Sequence, residues 1–267
     1  MCAEEKHIKI EICDLTMAFG SFVVMSDINA KIREAEVFVI MGGSGCGKST
    51  LLRHMIGLKS PAKGDILYDG NSFWHASDEA RQERLRSFGV LFQSGALWSS
   101  MTLSENVGLP LGEYTDLSPV DIDDIARLKL ALVGLKGFEE FYPAEISGGM
   151  CKRAGLARAL ALDPDVLFFD EPSAGLDPIS SRNLDQLILE LRDSLGATFV
   201  VVSHELPSIF AIADNSVFLD THTRTASAQG NPRELLKNST DPYLREFLTR
   251  GASLGAKPQP TGAVPNA

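Results

Sequence analysis

No uninterrupted hydrophobic run in this 267-residue chain approaches the roughly 20 residues a bilayer span requires. The opening stretch, MCAEEKHIKIEICD, is charged and alternating, without the apolar segment of a secretory signal. The chain is therefore expected to be soluble by itself, reaching a membrane only by docking onto a partner. Cysteine is sparse: Cys2, Cys13, Cys46 and Cys151 contain no C-x-x-C spacing. That pattern suggests neither a metal knuckle nor a disulfide framework, and a reducing compartment is the simplest reading. The five histidines do not cluster with cysteine, so no zinc site is visible. Positive charge is also short. A formal net charge of −10 opposes the basic stripe of a general nucleic-acid binder, and no nucleic-acid partner is expected.

The composition is that of an ordinary globular protein, 44% hydrophobic and 22% charged, so a core of useful size is possible. Ile8, Ile10 and Ile12 alternate with polar residues, which predicts a half-buried strand over 7–14. Ser21–Met25 and Ile28–Arg33 read as two further strands of an antiparallel patch. Glu36–Met41 is almost wholly apolar and predicts a buried central strand. A helix over Thr50–Leu58 follows, with Gly57 near its end. Later, Asp165–Phe169, Ala197–Val202 and Ser216–Asp220 predict buried strands, the last closing the core. Leu184, Leu187, Ile188, Leu191 and Leu195 predict a helix over Ile179–Leu195 that Gly196 terminates. Asn231 and Pro232 cap and open a short helix. Between the halves the pattern is helical, with Ile125, Leu128, Leu132 and Leu135 as one stripe and Lys152–Leu162 as another. The predicted class is thus α/β, with a helical subdomain inserted over about 94–164. There are no internal repeats.

Three motifs carry chemistry. Gly42-Gly43-Ser44-Gly45-Cys46-Gly47-Lys48-Ser49-Thr50 fits G-x-x-x-x-G-K-[ST] between a predicted strand and a predicted helix. Glycines let the backbone wrap phosphates and aim N–H groups inward, and the helix start adds its positive dipole end. Lys48 supplies a point charge for the β- and γ-phosphates, and Ser49 a hydroxyl for Mg²⁺. An apolar strand then ends in Asp170-Glu171, which places two carboxylates where open α/β sheets bind ligands. Asp170 suits Mg²⁺, and Glu171 suits polarisation of an attacking water. The third motif is Ile146-Ser147-Gly148-Gly149-Met150, followed by the helix CKRAGLARALALDPD.

With these three in order, the chain resembles the ATP-binding subunits of ABC transporters over roughly 7–240. The resemblance implies a P-loop NTPase (RecA-like) core at 1–93 and 165–240. It also implies an N-terminal antiparallel β patch, the inserted helices at 94–164, and a C-terminal extension over 241–267, disordered from about 251. It implies that Ser147, Gly148, Gly149 and Met150 complete the ATP site of a second copy of the chain in a homodimer. Gln93 matches the loop that senses Mg²⁺ and the attacking water. Ser173 and Asp177 match the loop linking the two sites, His204 the switch histidine that contacts the γ-phosphate, and Phe19 a candidate adenine-stacking ring. The family's signature usually begins with Leu and ends with Gln; Ile146 and Met150 depart from it, which bears on rate rather than reaction.

GVLFQSGALWSSMTLSENV at 89–107, together with ISGGM-x-KRAGLARALALDP and SAGLDP, is similar to ATPases of bacterial Mla-type and Mce-associated lipid transporters. That similarity implies an integral permease partner of the MlaE type and, indirectly, an MCE-domain lipid-binding protein. It also implies a peripheral position on the cytoplasmic face of the bacterial inner membrane. Leu97, Trp98, Met101, Leu103 and Leu109 lie where this family receives a permease helix, a groove-and-helix mode of recognition. Most of them are expected to fill the subdomain, with Trp98 partly exposed. A solute importer or division-type ATPase remains an alternative within transport. A soluble ABC ATPase is the lesser alternative, since such proteins usually carry two ATPase domains or a long coiled coil, neither of which is read here.

Overall fold

The computed structural model describes residues 7–249; the tail expected to be disordered from about 251 lies outside them. In chain order the elements are β1 (Ile8–Phe19), β2 (Phe22–Arg33), β3 (Val37–Gly42), α1 (Lys48–Met55), β4 (Lys63–Tyr68), β5 (Asn71–Ser72), α2 (Asp78–Arg86) and β6 (Phe88–Leu91). The inserted helices are α3 (Leu103–Tyr114), α4 (Pro119–Leu132) and α5 (Gly148–Ala159). The chain then returns through β7 (Val166–Asp170), α6 (Pro178–Leu195), β8 (Thr198–Val202), α7 (Leu206–Ile212), β9 (Asn215–Asp220), β10 (Thr225–Gly230), α8 (Pro232–Asn238) and α9 (Pro242–Leu248).

Two sheets result. One has the antiparallel order β2-β1-β4-β5; the other runs β10-β9-β3-β8-β7-β6. In the second, β3, β6, β7, β8 and β9 are parallel to their neighbours, and only β10 runs the other way. Every residue of β3 is buried, and its alternation divides the core. Val37, Val39 and Met41 join the cluster under the inserted helices, whereas Phe38 and Ile40 join the cluster shared with the antiparallel sheet and α1. Each such side chain contributes roughly 1.5–3 kcal/mol by leaving water.

The structure departs from the sequence pattern at three places. The two strands expected at Ser21–Met25 and Ile28–Arg33 are one, because Asp27 takes a left-handed conformation (φ 53°) and absorbs a bulge without ending the ladder to β1. Ser216–Asp220 is not the last core strand. β10 follows it with small, polar residues that show no apolar alternation, secured by backbone pairing and by Gln229 Nε2 donating to Lys31 O (2.7 Å). On α4 the expected stripe holds only in part: Leu135 is buried and Ile125 packs against the core, but Leu128 and Leu132 are exposed and Ala126, Leu130 and Val133 are buried instead. Ile122 faces α3, 2.9 Å from a Cβ built on Gly108.

α6 ends as expected at Gly196 (φ 66°). Its inward face holds one acid, Asp185, whose Oδ2 accepts from Ser208 Oγ of α7 (2.8 Å). Burial pushes Asp185 up to about 6, with Glu205 adding to the effect and the Ser208 hydrogen bond opposing it. Between pH of about 4 and 6 the folded protein holds a proton the unfolded chain has released, so stability falls as pH rises through that window. Asp185→Asn keeps an acceptor for Ser208 without the charge. In urea unfolding it should exceed wild type at about pH 7 by on the order of 1–2 kcal/mol after solvent screening, the gap closing towards about pH 4. A variant less stable than wild type at pH 7 would contradict this account of the burial.

Candidate functional site at the carboxyl edge of the sheet

Because β3, β6, β7 and β8 are parallel, the loops leaving their carboxyl ends share one edge. Ile40 of β3 pairs with Val202 of β8, and Val202 pairs with Asp170 of β7. Register therefore delivers the glycine loop, His204 and the acid pair at one level. The loop from Gly42 turns sharply into α1. Gly47, its last glycine, has φ 101°, and a Cβ there would sit 3.1 Å from both Met17 Cε and Val24 Cγ1 of the hairpin. Gly42 is closer still to its surroundings, with a Cβ position 2.7 Å from Leu219 O.

Within the loop, Ser44 and Gly45 are exposed, Gly43, Ser49 and Thr50 partly so, and Cys46 and Lys48 buried. Lys48 Nζ donates to Gly42 O (3.1 Å) and Gly43 O (2.9 Å). Burial pushes the Cys46 thiol up, away from the reactive thiolate. Ser49 Oγ donates to Asp170 Oδ1 (2.8 Å), which ties the loop to the acid strand across β8. Burial raises the Asp170 carboxyl above the usual range; the Ser49 hydrogen bond opposes the rise and neighbouring Glu171 adds to it. Glu171 is left-handed (φ 52°) and its N–H donates to Val202 O (3.0 Å). Its buried Oε2 lies 2.5 Å from His204 Nδ1, a contact that pairs the acid with the histidine loop.

The other expected residues stand apart. Gln93, exposed, lies two residues beyond β6. Ser147 caps α5, accepting from Met150 N (3.3 Å), and Ser147 and Gly148 are exposed. Among the described residues no hydrogen bond joins 147–149 to the phosphate loop of the same chain. Gly149 instead faces Leu176 and Ser180, its Cβ position 3.7 Å from Leu176 Cδ2. Ser173 is buried, and Asp177 caps α6 by accepting from Ile179 N (3.0 Å) and Ser180 N (3.1 Å). Phe19 is 55% exposed at the hairpin tip, with Lys59 Nζ over its ring. Three contributors have no motif. Arg53 of α1 favours ionised Asp170. Tyr243 of α9 places its hydroxyl 3.3 Å from a Cβ built on Gly43. Lys152 of α5 is buried beside the loop that follows Glu171. The type of the last was visible in the sequence, its inward direction not.

Fold and site together define a P-loop nucleotide-triphosphatase, with one edge for phosphates and a separate helical signature. A family model described as "ABC transporter" matches residues 25–174. The chain is 44% identical over 241 residues to "Probable ribonucleotide transport ATP-binding protein mkl" of Mycobacterium tuberculosis, covering 90% of this chain and 66% of that protein. It thus spans just under two thirds of this mycobacterial relative's length. It is 39% identical over 246 residues, 92% of each chain, to "Intermembrane phospholipid transport system ATP-binding protein MlaF" of Haemophilus influenzae. Among solved structures, the dimeric bacterial ABC transporter cassette MJ0796 superposes with TM-score 0.75 at 27% identity, over 83% of this chain and 98% of that one. A second structure of MJ0796 is a post-hydrolysis dimer bound to ADP and Pi. The chain belongs to the ABC transporter family. Among the described residues no helix is long and apolar enough to cross a membrane.

The raised Asp170 carboxyl means that keeping it ionised costs the ligand-free fold stability at neutral pH. Asp170→Asn should therefore raise the thermal midpoint of nucleotide-free protein by roughly 2–4 °C, about 1 kcal/mol for a chain of this size. A midpoint lowered by calorimetry would mean that the Ser49 hydrogen bond outweighs the buried charge.

Proposed function

We propose that this chain works as a homodimer on the cytoplasmic face of a bacterial inner membrane, hydrolysing ATP to drive lipid transport. The observation that carries the hydrolytic half is Glu171 Oε2, a buried carboxylate oxygen paired with His204 at the edge where the phosphate loop ends. A water held there is polarised for attack on the γ-phosphate, with His204 alongside. Lys48 exchanges the carbonyls it now holds for phosphate oxygens, and the N–H groups of Gly43–Thr50 line the cradle. Phe19 offers its exposed face to adenine.

Ser49 and Asp170 would hold Mg²⁺, with Gln93 reaching in from its loop. Among the described residues no group of three His, Cys, Asp or Glu forms a metal cage. Two hard oxygens suit a cation that draws its other ligands from water and phosphates. When bound, the ion neutralises charge developing on the transferred phosphoryl group.

The case for a second copy rests on Gly148. A Cβ there would meet nothing within 4 Å, so nothing within the chain demands glycine. A phosphate approaching closely from outside does demand it, and Ser147–Gly149 present a helix N-terminus to such an anion. Ser173 and Asp177 shape the turn between the two sites. We take 1–240 as the ATPase domain and 241–267 as its extension. A groove of about 320 Å³ between core and inserted helices, lined by Leu85, Phe92, Pro110, Tyr114, Arg158 and Leu162, suits an amphipathic helix of an MlaE-type permease. Trp98, 58% exposed, lies on the same loop system. An MCE protein then receives or delivers the lipid.

The lipid assignment leans on the phospholipid-named relatives; the mycobacterial relatives' name favours a second reading, ribonucleotide transport. Mass spectrometry of the complex extracted from native membranes separates them. Co-purifying MCE protein and phospholipid support the first, a solute-binding protein or bound ribonucleotide the second. Glu171→Gln is expected to keep ATP affinity while phosphate release falls by at least about 1,000-fold and the ATP-bound dimer persists in size exclusion. Near-normal phosphate release would remove Glu171 as the base.

A further inference from the structure

α5, the helix that begins at the signature, carries three cations whose donors go to main-chain carbonyls, Arg153 to Val133 O (3.4 Å) and two others to loops of the sheet edge. Lys152, 7% exposed, donates from Nζ to Pro172 O (2.7 Å) and Ala174 O (2.5 Å). Arg158 donates to Ala96 O (2.7 Å) and Gly95 O (3.0 Å). These carbonyls belong to the loops leaving β7 and β6. Each loop also holds a non-glycine residue in the left-handed region, Glu171 (φ 52°) and Ala96 (φ 50°). Such conformations persist only where surrounding contacts over-determine them. Contact with the β6 loop is close: a Cβ on Gly155 would lie 3.0 Å from Gly95 O.

A buried ammonium is ordinarily kept by a carboxylate. Here Glu171 and Glu205 are near enough to favour the charge, and neither forms an ion pair with Lys152. The lysine instead grips the backbone immediately after Glu171, which fixes where that side chain starts. We propose that Lys152 is a positioning residue for ATP hydrolysis, holding Pro172–Ala174 so that Glu171 Oε2 stays aimed at the attacking water. The inference rests on Glu171 acting as the base. It also gives the signature a direct route to the hydrolytic centre, since any shift of α5 on closure moves the carbonyl clamp behind Glu171.

The test compares the full-length wild type with Lys152→Met, Lys152→Arg and Glu171→Gln, measuring kcat, KM for ATP, affinity for a non-hydrolysable ATP analogue, and thermal midpoint. Lys152→Met is expected to lower kcat by about 10-fold or more with analogue affinity within about two-fold, and Lys152→Arg to restore at least about a third of kcat. Wild-type kcat in Lys152→Met overturns the proposal, as does a loss matched by equal loss of analogue affinity, or failure of Lys152→Arg to restore turnover. Should Lys152→Met not fold, Lys152→Gln, with one amide donor left, decides: an intermediate kcat supports the role and an unchanged one overturns it. Glu171→Gln separates the two claims. If it hydrolyses normally, the base assignment has failed; if it is dead while Lys152→Met is normal, only the positioning role has.

Discussion

The parallel pairing of β3, β8 and β7 is the constraint on which the rest depends. Ile40, Val202 and Asp170 stand level across three strands, so the phosphate loop, the histidine loop and the acid pair emerge side by side although some 160 residues separate them. Period-two alternation means that a one-residue slip would turn Asp170 into the core and an apolar side chain to the edge. The fully buried β3 prevents the slip, because both of its faces are committed to separate hydrophobic clusters. The hydrogen bond from Ser49 to Asp170 is the consequence of that register and not its cause.

The edge so assembled works against stability. Asp170 is a carboxylate raised by burial, Glu171 combines a left-handed backbone with a buried carboxylate oxygen, and Lys152 is an ammonium that burial pushes below the usual lysine range. Each is costly in a ligand-free fold, and the large cores on either side of β3 offset them. These groups gather at one edge of the sheet, while Asp185 between α6 and α7 and Glu36 before β3 are comparable buried acids away from it.

Much of this was legible beforehand, and for physical reasons. Glycine spacing, an all-apolar strand and an acid pair are local signals, so the loop, β3 and β7 could be read from Gly42–Thr50 and Val166–Glu171 alone. What escaped depends on contacts distant in sequence. β10 has no apolar alternation because an edge strand held by main-chain pairing needs none. Leu128 and Leu132 were misplaced on the α4 stripe because they are as apolar as Leu130, and only packing against neighbouring helices chooses between them. The helix CKRAGLARALALDPD showed Lys152, Arg153 and Arg158 as equivalent basic residues; which of them turn inward to hold carbonyls follows from loops some 20 and 60 residues away. No hydrogen bond among the described residues joins 147–149 to the phosphate loop, and the partner proposed for this cap is a second copy of the chain.

That last feature gives the central claim its most direct test, because a site shared between copies can be restored by mixing defective chains. Lys48→Ala disables the phosphate loop, and Gly148→Asp, whose added atoms meet open space within the chain, disables the signature. Each variant alone should be inactive in a phosphate-release assay. A mixture forms dimers in which one site has both an intact loop and an intact signature, so the account predicts that hydrolysis returns on mixing. A mixture as inactive as its components, with dimers formed, would contradict it.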